Sequence, residues 1–389
     1  MYKFVKNCSL LLVIVALMFA VTGPVWAQGP SAAAIAEREA AGDQLDDPGP
    51  LASDLSPKLK RPAILKAVRK VADWQLGHAE GRYNIQWTYA ALYDGMLAAS
   101  QATGDARYRD RVSRVAEENH WSFGPRFAHA DDEAIGLTYL MLYAQDHKPE
   151  QLDPVRDGMD KLLARSDDPQ QNLWWWCDAL YMAPPVLAQI SVATGDRKYL
   201  NFMDHEWWLT SGALYDPAEH LYFRDNRFLT MHEANGQKIF WSRGNGWVLA
   251  GLALVLQRMP EQYPDRAKYV EQYRQMAERI AALQPSDGLW RASLLDPGSY
   301  PNPEISGSAF FTYALAWGIH HKLLDRKKYL PIVTKAWRGM LTHVYADGRL
   351  GSIQPIGGEP GKYKPSSSYV YGVGAFLMAG AELCEISTK

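Results

Sequence analysis

The chain alternates between two kinds of helical segment, and this alternation limits its possible folds more than any other feature of the sequence. Six segments mix small residues with aromatic ones and carry almost no charge, and six amphipathic segments with charged faces separate them. A helix that is apolar on most sides must be buried on most sides, whereas an amphipathic helix buries one face. The nearly uncharged segments are 87–100, 132–145, 178–193, 245–257, 308–322 and 369–383, and the amphipathic ones are 63–76, 106–118, 151–165, 197–208, 266–283 and 326–343.

Six buried helices alternating with six surface helices predict an all-α (α/α)6 barrel, a ring of helical hairpins around a central cavity. An open superhelix is the competing architecture, but the absence of polar capping repeats favours a closed ring. The repeat runs through one domain, residues 63–389. Asp residues at 105, 196, 265 and 325 precede four amphipathic segments as candidate helix caps, and a Tyr follows each after three or four positions. We expect each Tyr to anchor its outer helix on an inner neighbour.

Residues 1–27 have the pattern of an export signal. Lysines at positions 3 and 6 precede an apolar stretch over 10–21, and small residues at 25 and 27 fit a cleavage site. The apolar stretch is short for a transmembrane anchor, which is the alternative. We therefore expect an exported protein, periplasmic or secreted, with no membrane association after cleavage.

Residues 28–62 are rich in Ala, Asp, Pro and Ser and show no sustained apolar period. This composition predicts a flexible N-terminal lead-in rather than part of the helical repeat. Two short stretches, 221–228 and 350–353, are the main strand candidates and are expected to form hairpins in loops at one rim.

The charge balance argues against nucleic-acid partners. The sequence has 41 Lys and Arg against 43 Asp and Glu, and no long basic run. The 14 Trp and 21 Tyr favour a sugar site modestly, because such rings stack on sugars. After signal removal only Cys177 and Cys384 remain, and their pairing cannot be inferred from two cysteines.

In a helical ring, the loops leading into the inner helices line one mouth of the cavity. Asp178 begins the third inner segment and follows Trp174, Trp175, Trp176 and Cys177. Desolvation by tryptophans would raise its pKa, as a general acid requires. A structural helix cap is the alternative.

Acidic residues also open the second inner segment, where His129 precedes Asp131, Asp132 and Glu133. One of them could face Asp178 across the cavity, so that one carboxyl donates a proton while the other stays charged. Acidic residues at a helix start are also ordinary caps.

Polar residues begin the fourth and fifth inner segments as well. Arg243 is a candidate for binding a substrate carboxylate through its planar guanidinium. The alternative is that Arg243 forms a surface ion pair while Asn245 caps the helix. Glu304 and Ser306 are weaker candidates because capping chemistry explains them too. No phosphate loop, HExxH, CxxC or GxSxG motif is present. We expect no cofactor and no metal, with His129 and Asp131 as the one metal alternative.

Three stretches carry a family resemblance: WCDALYMAPP at 176–185, WSRGNGW at 241–247 and SGSA at 306–309. They resemble glycoside hydrolase family 105, the unsaturated rhamnogalacturonyl hydrolases and related unsaturated glucuronyl hydrolases. The likeness spans roughly residues 63–383. It implies an (α/α)6 barrel and removal of the unsaturated uronic acid that polysaccharide lyases leave at the non-reducing end of an oligosaccharide.

The resemblance also implies residue roles. Asp178 would protonate the C4=C5 double bond, water would add at C5, and the hemiketal would collapse and release the sugar. Asp131 matches the second aspartate of the family better than Asp132, although the adjacent acid leaves both open. The residues expected to bind substrate are Trp87, Tyr89, His129, Asp132, Trp176, Arg243, Trp247 and Ser306.

Residues 172–175 depart from the rhamnogalacturonan form and suggest a different sugar in the next subsite. Fragments of ulvan or arabinogalactan, in which rhamnose adjoins a uronate, are therefore candidates beside pectin. A polysaccharide lyase on the same ring and a non-catalytic glycan-binding protein are the competing functions. The expected assembly is a monomer or homodimer.

Overall fold

The structure is a computed structural model that describes residues 31–166, 168 and 171–387. Helices dominate these residues, and the strands are only two residues long. The helices are α1 (Ala32–Ala41), α2 (Arg61–His78), α3 (Trp87–Thr103), α4 (Ala106–Glu118), α5 (Ala130–Glu133), α6 (Ile135–Asp146), α7 (Pro149–Leu163), α8 (Ala179–Met182), α9 (Pro184–Thr194), α10 (Lys198–Leu214), α11 (Ser242–Arg258), α12 (Arg266–Ala282), α13 (Ile305–His320), α14 (Arg326–Leu341) and α15 (Val370–Ile386). The strands are β1 (Gly42–Asp43), β2 (Tyr215–Asp216), β3 (Leu221–Tyr222) and β4 (Ser368–Tyr369).

The inner helices form a closed ring. In order around it, α3 packs on α6, α6 on α9, α9 on α11, α11 on α13, α13 on α15, and α15 on α3. The outer helices α4, α7, α10, α12 and α14 each pack on the inner helix that precedes them, and α2 packs on α15. The last helix therefore closes the ring against the first hairpin, which confirms the predicted (α/α)6 barrel. Among the described helices, none is both long and apolar enough to cross a bilayer.

Two inner segments that read as continuous helices in the sequence are interrupted. The second divides into α5 and α6 at Ala134, and the third divides into α8 and α9 at Ala183. Pro184 explains the second break, since its ring has no N–H for the helical ladder. Each break leaves one short helical turn at the mouth of the ring.

Glycines allow the closest contact within the ring. A Cβ atom on Gly95 would lie 2.3 Å from the carbonyl oxygen of Gly374, and one on Gly374 would lie 2.1 Å from the carbonyl oxygen of Ala91. Both distances are impossible for real atoms, so α3 and α15 can approach this closely only because neither position carries a side chain. The small residues of the inner segments thus set the spacing where the ring closes.

The repeated aspartates and tyrosines link outer helices to one another. Asp105 and Asp325 cap α4 and α14 through their side chains, whereas Asp265 makes no such bond to α12. Three of the tyrosine hydroxyls donate to an aspartate on the preceding outer helix, at 2.8 Å for Tyr108 to Asp73, 2.7 Å for Tyr199 to Asp160 and 3.0 Å for Tyr269 to Asp204. These three tyrosines therefore join neighbouring outer helices, where the sequence predicted an anchor on an inner helix.

The lead-in departs from the flexible segment that its composition predicts. In its described part, α1 is followed by β1, which pairs antiparallel with β4 immediately before α15. Asp43 accepts a hydrogen bond from the buried guanidinium of Arg349, and Ser366 Oγ donates to the Leu45 carbonyl at 2.5 Å. The segment has few apolar side chains of its own, and backbone pairing and polar contacts hold it against the barrel.

Strand pairing outside this segment is slight. Strands β2 (Tyr215–Asp216) and β3 (Leu221–Tyr222) form a hairpin. Only β3 lies in the first predicted strand region, 221–228, and a short 3-10 turn at Asn226–Leu229 occupies the other end of that region. The second region contributes a single bridge between Val344 and Leu350. The predicted signal, residues 1–27, lies outside the described residues.

Candidate active site

A cavity of about 240 Å³ opens at the mouth of the ring where the inner helices begin. Its volume suits one sugar ring and part of a second. The lining mixes acids, arginines and aromatic rings, a combination that differs from the apolar core below it. The lining residues are Glu37, Trp87, Arg126, Asp131, Trp176, Asp178, Met182, Arg224, Ile356 and Gly357.

Two carboxyl groups, Asp131 and Asp178, face this cavity from the two interrupted inner segments. Asp131 lies in α5, and Asp178 directly precedes α8, where its side chain caps no backbone N–H. The capping alternative for Asp178 is therefore wrong. Both side chains are largely shielded, with exposed fractions of 19% for Asp131 and 12% for Asp178. Residues at the starts of two different inner segments thus lie close together in space, as the predicted pair requires.

Burial, together with the nearby charge of Asp178, raises the pKa of Asp131 from its ordinary 3.8 to about 7. Shielding from water and a like charge close by both disfavour ionisation, so Asp131 holds its proton up to about pH 7. The sequence predicted a raised pKa at Asp178, caused by three tryptophans. In the structure only Trp176 of these tryptophans lines the cavity, because Trp174 is buried in the core and Trp175 is half exposed.

Asp132 is directed away from the cavity. Its carboxylate holds Arg126 in a two-pronged ion pair, at 2.8 Å from Nε and 3.0 Å from one terminal nitrogen, and it also accepts the Arg126 backbone N–H. Of the two adjacent acids, Asp131 is therefore the one that the structure places beside Asp178. Asp132 fixes Arg126 at the cavity wall.

Arg126 and Arg224 provide the positive charge of the site. Arg224 Nε lies 3.4 Å from Asp178 Oδ2, and one terminal nitrogen of Arg224 donates to Asp225 at 2.7 Å. Arg126 lies 3.8 Å from Asp131. Sequence reasoning missed both arginines: Arg126 lies in the loop four residues before α5, and Arg224 lies in the loop that follows β3. The strand candidate at 221–228, which contains Arg224, was the one available signal.

Two tryptophans form the aromatic part of the wall. Trp176 packs against His129 with ring centroids 5.0 Å apart, and His129 Nδ1 lies 3.8 Å from Asp131 Oδ2. Trp87 is half-buried and stacks on Tyr371 of α15, with centroids 5.4 Å apart and planes inclined by 21°. These flat rings offer stacking surfaces for a pyranose, while His129 supports Trp176 from behind.

Arg243 differs most from its predicted role. It is fully buried, stacks on Trp241, and donates to the backbone carbonyls of Gln354 and Pro355 at 2.7 and 2.9 Å. It therefore makes neither a surface ion pair nor a direct contact with the cavity. Because the next two residues, Ile356 and Gly357, line the cavity, Arg243 fixes the backbone that leads into that wall.

Three other predicted contacts lie behind the wall. Trp247 is fully buried and packs edge-on against Trp87. Tyr89 is also buried, and its hydroxyl donates to the Ala40 carbonyl at 2.9 Å. Ser306 Oγ donates to Glu304, whose carboxylate caps α13. Sequence position identified the correct end of each helix but could not tell which side chains turn inward.

The described residues contain one cluster of metal-type ligands and two free thiols, and none of these side chains lines the cavity. Within the described residues, the one cluster with spacing suited to a metal is His320, His321 and Glu382, at the ends of α13 and α15 that are remote from the cavity. Cys177 and Cys384 are both free and buried. Burial raises the pKa of the Cys177 thiol well above its ordinary value, so it is a neutral neighbour of Asp178.

Comparison with known proteins agrees with this geometry. An "Unsaturated 3S-rhamnoglycuronyl hydrolase" of Formosa agariphila is 42% identical over 82% of this chain and 89% of its own length. A solved Glycosyl hydrolase family 88 structure from Bacteroides vulgatus has 31% identity and a TM-score of 0.80, covering 84% of this chain and 99% of that one. A solved chain described as a polysaccharide lyase has 32% identity and a TM-score of 0.79, covering 84% and 98%. The model of Glycosyl Hydrolase Family 88 matches residues 57–386, nearly all of the described barrel, and the chain belongs to that family.

Proposed function

We infer that this protein is an unsaturated uronyl hydrolase, a glycosidase that removes the 4,5-unsaturated uronic acid from the non-reducing end of lyase-generated oligosaccharides. The observation that carries this inference is the pair Asp131 and Asp178 in a one-sugar cavity that also contains two arginines. The family match and the 42% identical hydrolase of Formosa agariphila support the same activity. Within the broader family, the motifs at 176–185 and 241–247 favour the family 105 type.

The chemistry follows from a proton shared by two acids. We assign Asp178 as the group that protonates C4 of the enol-ether double bond, with Asp131 as the partner that shares the proton. Positive charge then develops at C5, where an ionised carboxylate stabilises it and water adds. The resulting hemiketal opens and releases the neighbouring sugar. Because no displacement occurs at the anomeric carbon, the carboxylate spacing of ordinary glycosidases does not govern this reaction.

Arg224 and Arg126 replace Arg243 as the proposed binders of the uronate carboxylate. Both border the cavity, and a planar guanidinium matches a carboxylate in geometry and charge. Each is already oriented by an aspartate, Arg224 by Asp225 and Arg126 by Asp132. A substrate carboxylate would therefore meet pre-ordered donors, which reduces the entropy lost on binding.

For the sugar next to the uronate we propose rhamnose. The name of the Formosa agariphila relative specifies a rhamnoglycuronyl substrate, and residues 172–175 depart from the rhamnogalacturonan form. Ulvan-type fragments are then preferred over pectin-type fragments. Export, proposed from the pattern of residues 1–27, would place the enzyme where such fragments arise.

The decisive experiment follows the ultraviolet absorbance of the unsaturated sugar in lyase-treated ulvan. Wild type should bleach it, and Asp178→Asn should lower kcat by about a thousandfold or more, because general acid–base catalysis contributes that much. The variant should fold normally, since Asp178 caps no helix. Asp153→Asn, which alters a surface carboxyl of α7, is the matched control and should behave as wild type. Full activity in Asp178→Asn would contradict the assignment.

The same assay distinguishes the hydrolase from a lyase, the function suggested by the description of one structural relative. A lyase forms double bonds and increases the absorbance of intact polysaccharide, whereas the hydrolase removes them from fragments. A rise in absorbance with intact ulvan, and no bleaching with fragments, would establish the lyase. If the absorbance neither rises with intact ulvan nor falls with fragments, a non-catalytic glycan-binding protein is favoured.

A further inference from the structure

The N-terminal segment places a carboxylate in the cavity that the family match does not include. The family model begins at residue 57, yet Glu37 of α1 lines the cavity together with Trp87 and Ile356. Glu37 Oε1 accepts a hydrogen bond of 2.9 Å from Trp87 Nε1. Within the described part of the chain, the second oxygen of Glu37 accepts no hydrogen bond. Glu37 therefore lies outside the segment that the family model matches.

Several contacts hold α1 at this position. The next residue, Arg38, donates to the Ile356 carbonyl at 2.8 Å, so α1 is joined to the loop that forms the opposite part of the wall. Tyr89 of α3 donates to the Ala40 carbonyl at 2.9 Å. Helix α3 and the 354–357 loop thus determine where Glu37 lies.

Strand β1 docks so closely that only glycine fits. A Cβ on Gly42 would lie 2.1 Å from the Ser368 carbonyl oxygen and 2.8 Å from the Tyr369 Cα. The following residue, Asp43, pairs with Arg349, whose side chain is 1% exposed. A buried arginine that bonds to the lead-in indicates a built contact rather than a loose arm.

The charges in the cavity are unevenly distributed. Arg126 and Arg224 lie beside the catalytic acids, whereas Glu37 bonds to Trp87 and interacts with Arg126 only at longer range. A uronate carboxylate next to Glu37 would be repelled, while a sugar hydroxyl there would find a charged acceptor. The two effects favour one orientation of the sugar, with its carboxylate toward the arginines.

We propose that Glu37 is a substrate-positioning residue that accepts a hydrogen bond from a hydroxyl of the unsaturated uronate and directs its carboxylate toward Arg126 and Arg224. This proposal rests on the proposed function. It assigns the segment before the barrel a part in substrate recognition, and it predicts an effect on binding rather than on proton transfer.

The test compares Glu37→Ala, Glu37→Gln and Glu39→Gln with wild type on lyase-generated ulvan disaccharide. Glu37→Ala should raise KM about tenfold or more with kcat changed less than about threefold, because a site built to bond a hydroxyl loses that contact. Glu37→Gln keeps an acceptor for Trp87 and should restore part of the affinity. Glu39 lies on the same helix and is exposed, so its variant should match wild type.

A fourth variant, Gly42→Val, should also raise KM, because the new side chain would displace β1 and with it α1. This variant changes no residue of the cavity. Thermal unfolding of each variant separates lost folding from lost binding. If Glu37→Ala destabilises the fold, the nearly isosteric Glu37→Gln decides the question.

An unchanged KM in both Glu37 variants, or a fall in kcat alone, would overturn the positioning role while wild-type activity kept the proposed function intact. If wild type itself bleaches no unsaturated uronate, the proposed function fails and this proposal fails with it.

Discussion

At the level of single residues, the site depends on which groups neutralise one another. Asp132 pairs with Arg126, and Asp225 pairs with Arg224 and with Arg227, so each cavity arginine has an aspartate that orients it. Asp131 and Asp178 are the carboxyl groups of the cavity wall that approach the arginines at longer range. The short ion pairs hold the two arginines in the cavity wall. The longer contacts leave Asp131 and Asp178 available for chemistry.

Replacement of Arg224 should be far more harmful than replacement of Arg227. Arg224 borders the cavity and lies 3.4 Å from Asp178, whereas Arg227 bonds to the same Asp225 but is 70% exposed. We expect Arg224→Ala to lower kcat/KM about 100-fold, largely through KM, since a carboxylate loses a charged partner. Arg227→Ala should change it less than about threefold. Steady-state kinetics on ulvan disaccharide check both, and equal effects would remove Arg224 from substrate binding.

The raised pKa of Asp131 predicts a pH-dependent stability. The folded state holds a proton on Asp131 up to about pH 7, but the unfolded chain releases it near 3.8. Between these values the folded state binds more protons, so its stability is greatest below the lower value and falls as pH rises to the higher one. In Asp131→Asn this contribution is absent.

The unfolding free energy of Asp131→Asn relative to wild type should therefore increase between about pH 4 and about pH 8, by on the order of a few kcal/mol. Urea titrations of both proteins at the two pH values measure it. Buried acids that do not interact with Asp131, such as Asp94, titrate in both proteins and cancel in the comparison. A difference that is independent of pH would contradict the raised pKa.

The residue types of the site were more predictable than their orientations. Asp131 and Asp178 could be found because they stand at starts of inner helices, and the ring brings such starts together. Arg243 was misassigned because a motif residue beside the cavity can point either into it or behind it, and helical spacing does not decide which. Glu37 and Arg224 could not be found, since their positions depend on segments packed far from their neighbours in sequence.

At the level of helices, the pattern of apolar and amphipathic segments was sufficient to predict twelve helical segments and their inner or outer placement. This prediction succeeded because a helix that is buried on all sides has almost no charged residues, which is visible in its composition. The breaks at Ala134 and Ala183 were not predicted, although Pro184 offered a signal for one of them. Those breaks matter because Asp131 lies on one of the short turns that they create and Asp178 directly precedes the other.

The contact between α3 and α15 can be tested with glycine substitutions. Gly374→Ala would force a Cβ to within 2.1 Å of the Ala91 carbonyl oxygen and should destabilise the protein by about 3 kcal/mol. Gly212→Ala, in the outer helix α10, has no atom within 4 Å of the new Cβ and should stabilise by about 0.5 kcal/mol. Urea unfolding of both variants provides the comparison. A neutral Gly374→Ala would mean that the ring tolerates wider spacing.

At the level of the whole molecule, closure of the ring predicts a single cooperative unfolding transition. Every inner helix contacts an inner neighbour on each side, so no hairpin can leave without exposing the apolar flanks of two others. Near-ultraviolet circular dichroism, which reports tryptophan packing, and far-ultraviolet circular dichroism, which reports helix, should give coincident curves in urea. Separate curves would show that part of the ring unfolds alone.

Closure by the last helix also has a consequence for biosynthesis. Helices α2 and α3 are made before every inner helix that follows them, but their partner α15 is made after all the other described helices. Until it arrives, Trp87 lacks the Tyr371 ring on which it stacks, and the wall containing Ile356 is absent. Chains that stop before α15 consequently contain both proposed catalytic aspartates but no finished substrate pocket, so hydrolysis begins only after α15 has been made.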